Sequence, residues 1–279
     1  MILKKFFRKH YSSKMTSDFY LIYKKYIHNK IRLGNVAMFH TGRCGSTVLG
    51  NLLNQNPEIS WAGEVFEDMH ERYRKYRWRK EKPLKIIEII MYSRECNFFG
   101  FETKSMKEQH LRPQWIDMNL IDYIGALCKL GFKHFIILRR KNYLKRAMSA
   151  TVGFRSGIWH QKKGETINPI QVNIDINNFK IGNTSKPLLQ HFGDLDQHYL
   201  ELNSILKENS LLNLIYEDDI QDNPIAAYNK ICDFLKIESF PVEIRRKKTN
   251  PFKMHEVVQN LDEIKNALHN TKYEWMTVE

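Results

Sequence analysis

Residues 36–47 are Val36-Ala37-Met38-Phe39-His40-Thr41-Gly42-Arg43-Cys44-Gly45-Ser46-Thr47. The apolar run 36–40 is typical of a buried β-strand. A polar turn that contains two glycines follows it, and residues 46–55 carry their apolar side chains on one side of a predicted helix. The sequence therefore predicts a strand, a tight loop and a helix in this order.

The same alternation continues along the chain. Apolar runs predict further strands at 59–65, 97–102, 134–138 and 211–216. Amphipathic segments predict helices at 115–130, 142–152, 188–206 and 256–268, and Asn223-Pro224 is a typical helix start. Strands that alternate with helices predict an α/β protein, a three-layer α/β/α domain with a central, mostly parallel sheet.

A chain of 279 residues is long enough for one α/β domain or two small ones with a buried core. Residues 1–33 contain nine Lys/Arg and one Asp, and they predict a basic helical leader that packs on a domain spanning 34–279. Residues 161–187 are rich in Asn, Gly, Lys and Pro, and they predict a lid because loops of this length are usually functional or disordered.

The composition is that of an ordinary soluble chain that remains in the cytoplasm. No apolar stretch is long enough to span a membrane, and lysines interrupt the apolar start of the chain, unlike a signal peptide. The cysteines lie far apart and form no CxxC pair, which disfavours a disulfide scaffold and a zinc site.

The formal net charge of +13 favours anionic partners: nucleic acid, a membrane surface or a polyanionic cofactor. Residues 71–85 are strongly basic and contain Tyr73, Tyr76 and Trp78. This pattern is found in nucleic-acid-binding surfaces and equally in solvated helices whose aromatic side chains pack inward. Charge alone does not choose between these classes.

The turn at 41–47 predicts an anion-binding site. A loop between a buried strand and a helix presents free backbone amides at the positive end of the helix. Gly42 and Gly45 let the backbone wrap phosphate or sulfate closely, Ser46 and Thr47 add hydroxyls, and Arg43 adds a charged fork. The Walker spacing and its lysine are absent. A plain glycine turn capped by Ser46 is the alternative.

A second basic motif follows the predicted strand 134–138. Arg139 and Arg140 lie at its carboxyl end, where ligands of parallel sheets gather. Ser149 lies about two and a half turns along the next helix, so one of these arginines and Ser149 are predicted to bind a second phosphate. A solvated basic helix start is the alternative.

The two motifs together resemble the sulfotransferases that use 3′-phosphoadenosine 5′-phosphosulfate (PAPS). The resemblance continues through Trp61-Ala62-Gly63-Glu64, Ser156-Gly157-Ile158-Trp159-His160 and Tyr216-Glu217-Asp218-Asp219-Ile220-Gln221-Asp222-Asn223-Pro224. It is most similar to the bacterial branch that includes trehalose 2-sulfotransferase, which carries a comparable Ser/Thr-Gly-x-Trp-His segment. The resemblance implies a P-loop-like sulfotransferase fold, PAPS as donor, 3′-phosphoadenosine 5′-phosphate (PAP) as product, and no required metal.

The resemblance also implies donor-binding residues. The loop side, which would hold the 5′-phosphosulfate, comprises Thr41, Gly42, Arg43, Cys44, Gly45, Ser46 and Thr47. Arg140 and Ser149 would hold the 3′-phosphate; their separation is one residue longer than in the cytosolic steroid and phenol enzymes, so Arg139 stays an alternative. The basic residues Arg246, Lys247 and Lys248 would close over the nucleotide. Many cytosolic members carry lysine in place of Arg43, whose role must be electrostatic because arginine donates no proton at neutral pH.

A base must accept the proton of the acceptor. The resemblance implies Glu64, which ends a short apolar strand, with His160 as the alternative and the acidic neighbours Glu67 and Asp68 ranked below them. His40 is interpreted as a strand-end residue beneath the loop. The acceptor-binding residues implied are Glu64, Lys104, Trp159 and His160.

Other classes of protein stay open. A P-loop kinase or NTPase would use the acidic strand end around Glu217 and Asp218 for Mg²⁺, although it lacks the loop lysine. A basic nucleic-acid-binding protein would use 71–85. On the sulfotransferase interpretation the acceptor is a small molecule or a carbohydrate, attacked through a hydroxyl or an amine. The oligomeric state stays open, with a homodimer as one alternative.

Overall fold

The computed structural model describes residues 32–66, 83–112, 116–159, 161–162, 168–182, 184–248 and 250–278. Most of the predicted leader 1–33 and of the basic segment 71–85 lies outside these ranges, as do Glu67, Asp68 and His160. None of the described helices is both long and apolar enough to cross a membrane.

Five parallel strands form the central sheet in the order β2-β3-β1-β4-β8. With strands numbered in chain order, they are β1 Gly34–His40, β2 Ile59–Glu64, β3 Phe98–Lys104, β4 His134–Arg139 and β8 Ser210–Ile215. Because all pairings are parallel, the carboxyl ends of all five strands lie at one edge of the sheet. This architecture confirms the predicted α/β class and parallel sheet.

Helices connect the strands and continue after the last one. They are α1 Ser46–Leu53, α2 Pro83–Tyr92, α3 Leu120–Lys129, α4 Tyr143–Ser156, α5 Leu188–Leu206, α6 Pro224–Leu235, α7 Met254–Val257 and α8 Leu261–Leu268. A π-helical turn, Tyr216–Ile220, and a 3₁₀ turn, Glu274–Thr277, complete them. Asn223 caps α6 with Pro224 in its first turn, as the sequence predicted.

Both faces of the sheet are covered, since alternate residues of β1 enter different cores. Ala37 and Phe39 pack with α2, α3, α4, α5, α7 and α8. Val36 and Met38 pack with α1 and α6 on the opposite face. All four side chains are fully buried. The layers are therefore helix, sheet, helix, with the strand–helix loops exposed at the edge.

The segment predicted as a lid, 161–187, contains short strands. β5 Gln161–Lys162 pairs antiparallel with β9 Arg246–Lys247, and β6 Phe179–Ile181 forms a hairpin with β7 Thr184–Lys186. Several apolar side chains of this segment are buried in the core: Val172, Ile174, Phe179 and Ile181. These dispersed apolar residues have no clear periodicity, which is why the composition suggested a loop. A lid function stays a prediction for this segment.

The predicted last helix, 256–268, is wrong as a continuous element. It consists of α7 and α8, and the chain between them is extended at Val258, which forms an isolated bridge with Val172. The Gln259 amide donates to the Val172 carbonyl at 2.9 Å. This pairing with the preceding segment breaks the helix at a point where the apolar spacing continues.

Candidate anion-binding cleft

The carboxyl ends of the five strands open into a cleft of about 1190 Å³. Ligands of parallel α/β sheets bind at this edge. Most of the predicted site residues line the cleft: Thr41, Gly42, Arg43, Gly45, Ser46, Thr47, Glu64, Lys104, Arg140, Ser149, Trp159, Arg246 and Lys248. The fold therefore brings segments that are distant in sequence to one place.

The backbone between β1 and α1 is shaped to surround a small group. Gly42, Arg43 and Gly45 have φ values of 84°, 56° and 86°. A β-carbon at Gly45 would lie 2.8 Å from Ile220 Cγ2, so only glycine fits this position. Gly45, rather than Ser46, is the N-cap of α1, and no side chain caps the helix. A helix N-terminus without a side-chain cap is the arrangement that anion-binding loops use.

Side chains beneath the loop hold its shape. His40 Nδ1 accepts a hydrogen bond from the Gly42 amide at 3.0 Å. Thr41 Oγ1 and Tyr199 Oη form a hydrogen bond of 3.0 Å. The Cys44 side chain is fully buried in the core formed with α1 and α6. A role for Cys44 in donor binding would therefore fall to its backbone amide.

Arg43 extends from the loop towards α4. Its Nε donates to Ser149 Oγ at 2.9 Å, and one terminal nitrogen donates to the Trp159 carbonyl at 3.0 Å. The guanidinium also lies 5.8 Å from the centre of the Trp159 ring. The sequence prediction paired Ser149 with Arg140, but the Ser149 hydroxyl contacts Arg43.

Arg140 lies behind the same loop. Its NH1 donates to the Arg43 carbonyl at 3.2 Å, and its guanidinium lies 4.6 Å from the Tyr216 ring centre. Its Nε is buried, has no hydrogen-bond partner among the described residues, and lies 3.7 Å from Glu217 Oε1. Arg140 is therefore the member of the arginine pair that lines the cleft; Arg139, the last residue of β4, does not.

Arg146 is a further residue of this region, to which the sequence prediction gave no role. Its Nε donates to the Gly42 carbonyl at 3.2 Å and its NH2 to the Thr41 carbonyl at 2.5 Å. It lies one helical turn before Ser149 on α4. That spacing, which places both side chains on the face of the helix towards the loop, is the signal that could have identified it.

Positive charge at this end of the cleft is nearly uncompensated. Burial lowers the pKa of the guanidiniums of Arg43, Arg140 and Arg146, and repulsion from Arg140 adds to the effect on Arg43. Within the described ranges, the contact between Arg140 and Glu217 is the only ion pair that any of the three makes. A buried charge without a counter-ion is costly, so this region is suited to an anion.

At the other end of the cleft the charges are balanced. Glu64 Oε2 lies 2.6 Å from Lys104 Nζ, and Glu64 Oε1 lies 3.9 Å from His40 Nε2. Burial would raise the pKa of Glu64, but Lys104 and His40 outweigh it and hold the pKa below its usual value. Beneath them, Glu102 lies 3.5 Å from His40 Nε2 and accepts from Trp61 Nε1 at 2.8 Å.

His40, Glu64 and Glu102 are also the one group in the described part of the chain whose donor atoms lie close enough to hold a metal ion, within 4.8 Å of one another. Lys104 already neutralises Glu64 at 2.6 Å. The geometry therefore fits an ion pair with a buried histidine better than a metal centre.

The rim of the cleft carries basic and aromatic side chains. Arg246 and Lys248 lie on and after β9, and the side chain of Lys247, a β9 residue, is outside the described part. Trp159 and Phe154 meet edge to face with ring centres 4.9 Å apart, and Phe154 is 60% exposed. An apolar, aromatic surface thus borders Arg43.

The acidic residues at the strand end that a kinase would use for Mg²⁺ contact other residues of the chain. Glu217 accepts from the amides of Lys141 and Asn142 at 2.8 and 3.1 Å. Asp218 pairs with Lys141 Nζ at 2.6 Å. These contacts join the π-helical turn to the start of α4, which is a structural role.

No family model and no curated protein sequence matches the chain. Among solved structures, the sulfotransferase domain from the Synechococcus PCC 7002 olefin synthase is similar at 13% sequence identity. The alignment covers 88% of this chain and 86% of that one, with a TM-score of 0.42. A similarity at this TM-score is too weak to transfer an activity.

Proposed function

We propose that the chain is a sulfotransferase that moves the sulfuryl group of PAPS to a hydroxyl or amine of a small-molecule or carbohydrate acceptor. The observation that carries this proposal is the convergence of Arg43, Arg140 and Arg146 on a glycine loop at a strand–helix junction. A donor with a 5′-phosphosulfate and a 3′-phosphate supplies the negative charge that this end of the cleft lacks.

The donor would be held at two points. The loop amides, Arg43, Ser46 and Thr47 would bind the 5′-phosphosulfate. Arg140, whose buried Nε has no hydrogen-bond partner among the described residues, would bind the 3′-phosphate together with Ser149. Arg246 and Lys248 would close over the nucleotide from the rim.

In the reaction, an acceptor oxygen or nitrogen forms a bond to sulfur while the bond from sulfur to the bridging oxygen breaks, and the electron pair leaves on the phosphate of PAP. Glu64 would take the acceptor proton. Arg43 and the loop amides would stabilise the charge that grows on the leaving oxygen. No metal is demanded because a sulfuryl group carries one negative charge fewer than a phosphoryl group.

The acceptor would lie between Glu64 and the aromatic rim. Lys104 lies next to Glu64, with Cε 3.6 Å from the position of a β-carbon on Gly42, so it can contact both acceptor and sulfuryl oxygens. Trp159 and Phe154 offer exposed aromatic rings of the kind on which a sugar ring packs. The trehalose 2-sulfotransferase-like branch suggests a carbohydrate, with His160 as a further acceptor contact or base.

Binding of PAP tests this proposal directly. A ligand that binds the native state raises its melting temperature, so PAP should raise it strongly and ATP with Mg²⁺ weakly. Arg43→Met should abolish the PAP effect, whereas Lys145→Met, which removes an equal charge on α4, should retain it. A chain that responds to ATP and Mg²⁺ but not to PAP would be a kinase or NTPase instead. Labelled PAPS and a panel of sugars and phenols would then identify the acceptor.

A further inference from the structure

Arg146 lies on α4 with 6% of its surface exposed. Its three guanidinium nitrogens are all engaged: Nε and NH2 with the carbonyls of Gly42 and Thr41, and NH1 with His191 Nε2 at 3.0 Å. Burial, and then Arg146 itself, lowers the pKa of His191 to about 2, so His191 is neutral and accepts this hydrogen bond. Every partner of the Arg146 guanidinium in the described part of the chain is therefore an uncharged acceptor.

No carboxylate in the described part of the chain forms an ion pair with Arg146. Arg140 is near enough to lower its pKa by repulsion, after the larger effect of burial. A side chain that is buried, charged and without a counter-ion normally costs several kcal/mol, so a core built for stability alone would not retain it. Among the described residues nothing supplies the compensating charge, which a bound anion would provide.

The contacts of Arg146 also orient the loop. Carbonyls of three successive residues, Thr41, Gly42 and Arg43, accept hydrogen bonds from Arg146 and Arg140. In a trans peptide the N–H points opposite to the carbonyl. The amides of Arg43 and Cys44, which share peptide units with two of these carbonyls, therefore point away from the guanidiniums.

We propose that Arg146 is the positioning residue of the anion loop: it fixes the loop carbonyls so that the amides on the opposite side are set for the ligand, and the bound anion is the counter-ion that its own charge lacks. This inference rests on the proposed function for the identity of that anion, the 5′-phosphosulfate. It rests on the geometry of the loop alone for a simple anion such as inorganic phosphate.

The experiment compares the wild-type chain with three variants. Arg146→Lys keeps the charge but cannot span two carbonyls, and Arg146→Met removes both the charge and the hydrogen bonds. Lys145→Met is the control. Urea unfolding without ligand gives stability, and titration with inorganic phosphate, adenosine 5′-phosphate and PAP gives affinity. We expect phosphate and both nucleotides to bind about tenfold more weakly to Arg146→Lys, and still more weakly to Arg146→Met. Lys145→Met should match the wild type.

The ratio of PAP affinity to adenosine 5′-phosphate affinity separates positioning of the loop from a direct contact with the 3′-phosphate. It should stay unchanged in both Arg146 variants, because only the loop end of the ligand is affected. A fall in this ratio, phosphate binding like that of the wild type, or an Arg146→Lys chain that is unfolded without ligand would each overturn the proposal. If the wild-type chain binds phosphate but neither nucleotide, the proposed function is rejected. The role of Arg146 is then decided by the phosphate affinities of the variants.

Discussion

The two ends of the cleft differ in how their charges are balanced. Near the ends of β1 and β4 three arginines converge, of which Arg146 is buried and Arg43 and Arg140 are half-buried. Their only acidic contact among the described residues is one carboxylate 3.7 Å away. At the ends of β2 and β3, Glu64 and Lys104 neutralise each other at 2.6 Å. The first arrangement is suited to an anionic ligand. Under the proposed function, the second would take the proton of a neutral acceptor.

Removal of Arg43 should have the largest effect, because it acts where charge grows on the leaving group. Arg43→Met should lower turnover by about 10³-fold, measured as initial rates with labelled PAPS. Arg43→Lys keeps the charge and should lose far less. An Arg43→Met chain that retains a tenth of the wild-type rate would remove Arg43 from the catalytic step.

Glu64→Gln removes the carboxylate that pairs with Lys104 and changes no residue at the arginine-rich end of the cleft. Turnover should fall by about 10²-fold because no carboxylate remains to take the proton, while PAP affinity by calorimetry stays close to that of the wild type. Glu58→Gln, on a carboxylate that accepts from Asn97 at the far end of β2, is the control. Near-normal turnover in Glu64→Gln would assign the base elsewhere, with His160 next to be tested.

Arg140→Ala weakens the arginine-rich end of the cleft at the proposed 3′-phosphate contact. The KM for PAPS should rise about tenfold, since a charge-assisted contact to the 3′-phosphate is lost, while the KM for the acceptor changes little. Arg139→Ala serves as the matched control, because Arg139 does not line the cleft. Equal changes in both KM values would argue against a 3′-phosphate contact.

Lys104→Met should produce the smallest change, a shift of the pH profile. The rate falls when pH drops through the pKa of the base, which Lys104 and His40 hold below its usual value. Without Lys104 one cause that lowers the pKa of Glu64 is lost while the opposing effect of burial stays, so the pKa rises and the acidic limb of kcat/KM moves to higher pH. Lys107→Met, on an exposed lysine nearby, should leave the limb in place. An unmoved limb in Lys104→Met would contradict the pairing with Glu64.

Local signals in the sequence were sufficient for the sheet and the loop. The apolar run before His40 and the glycines at 42 and 45 predicted a strand and a tight loop, and both are present. Arg43 was identified as part of the glycine loop, and Glu64 through the family resemblance. Their individual roles stay predictions.

Contacts between distant segments could not be predicted in the same way. Ser149 contacts Arg43 rather than Arg140 in this arrangement, because the helical rotation of α4 is set by packing and not by the spacing of motifs. Arg146 was missed since a lone arginine inside a helix resembles a solvated one. The break between α7 and α8 depends on Val172, which is far away in sequence.

His40 is common to both ends of the cleft. Its Nδ1 accepts from the Gly42 amide, and its Nε2 faces Glu102 and Glu64. One imidazole ring thus spans from the glycine loop to the carboxylates. Under the proposed function, a substitution at His40 would alter donor affinity and acceptor chemistry in the same molecule, and kinetic effects measured on such a variant should not be attributed to either step alone.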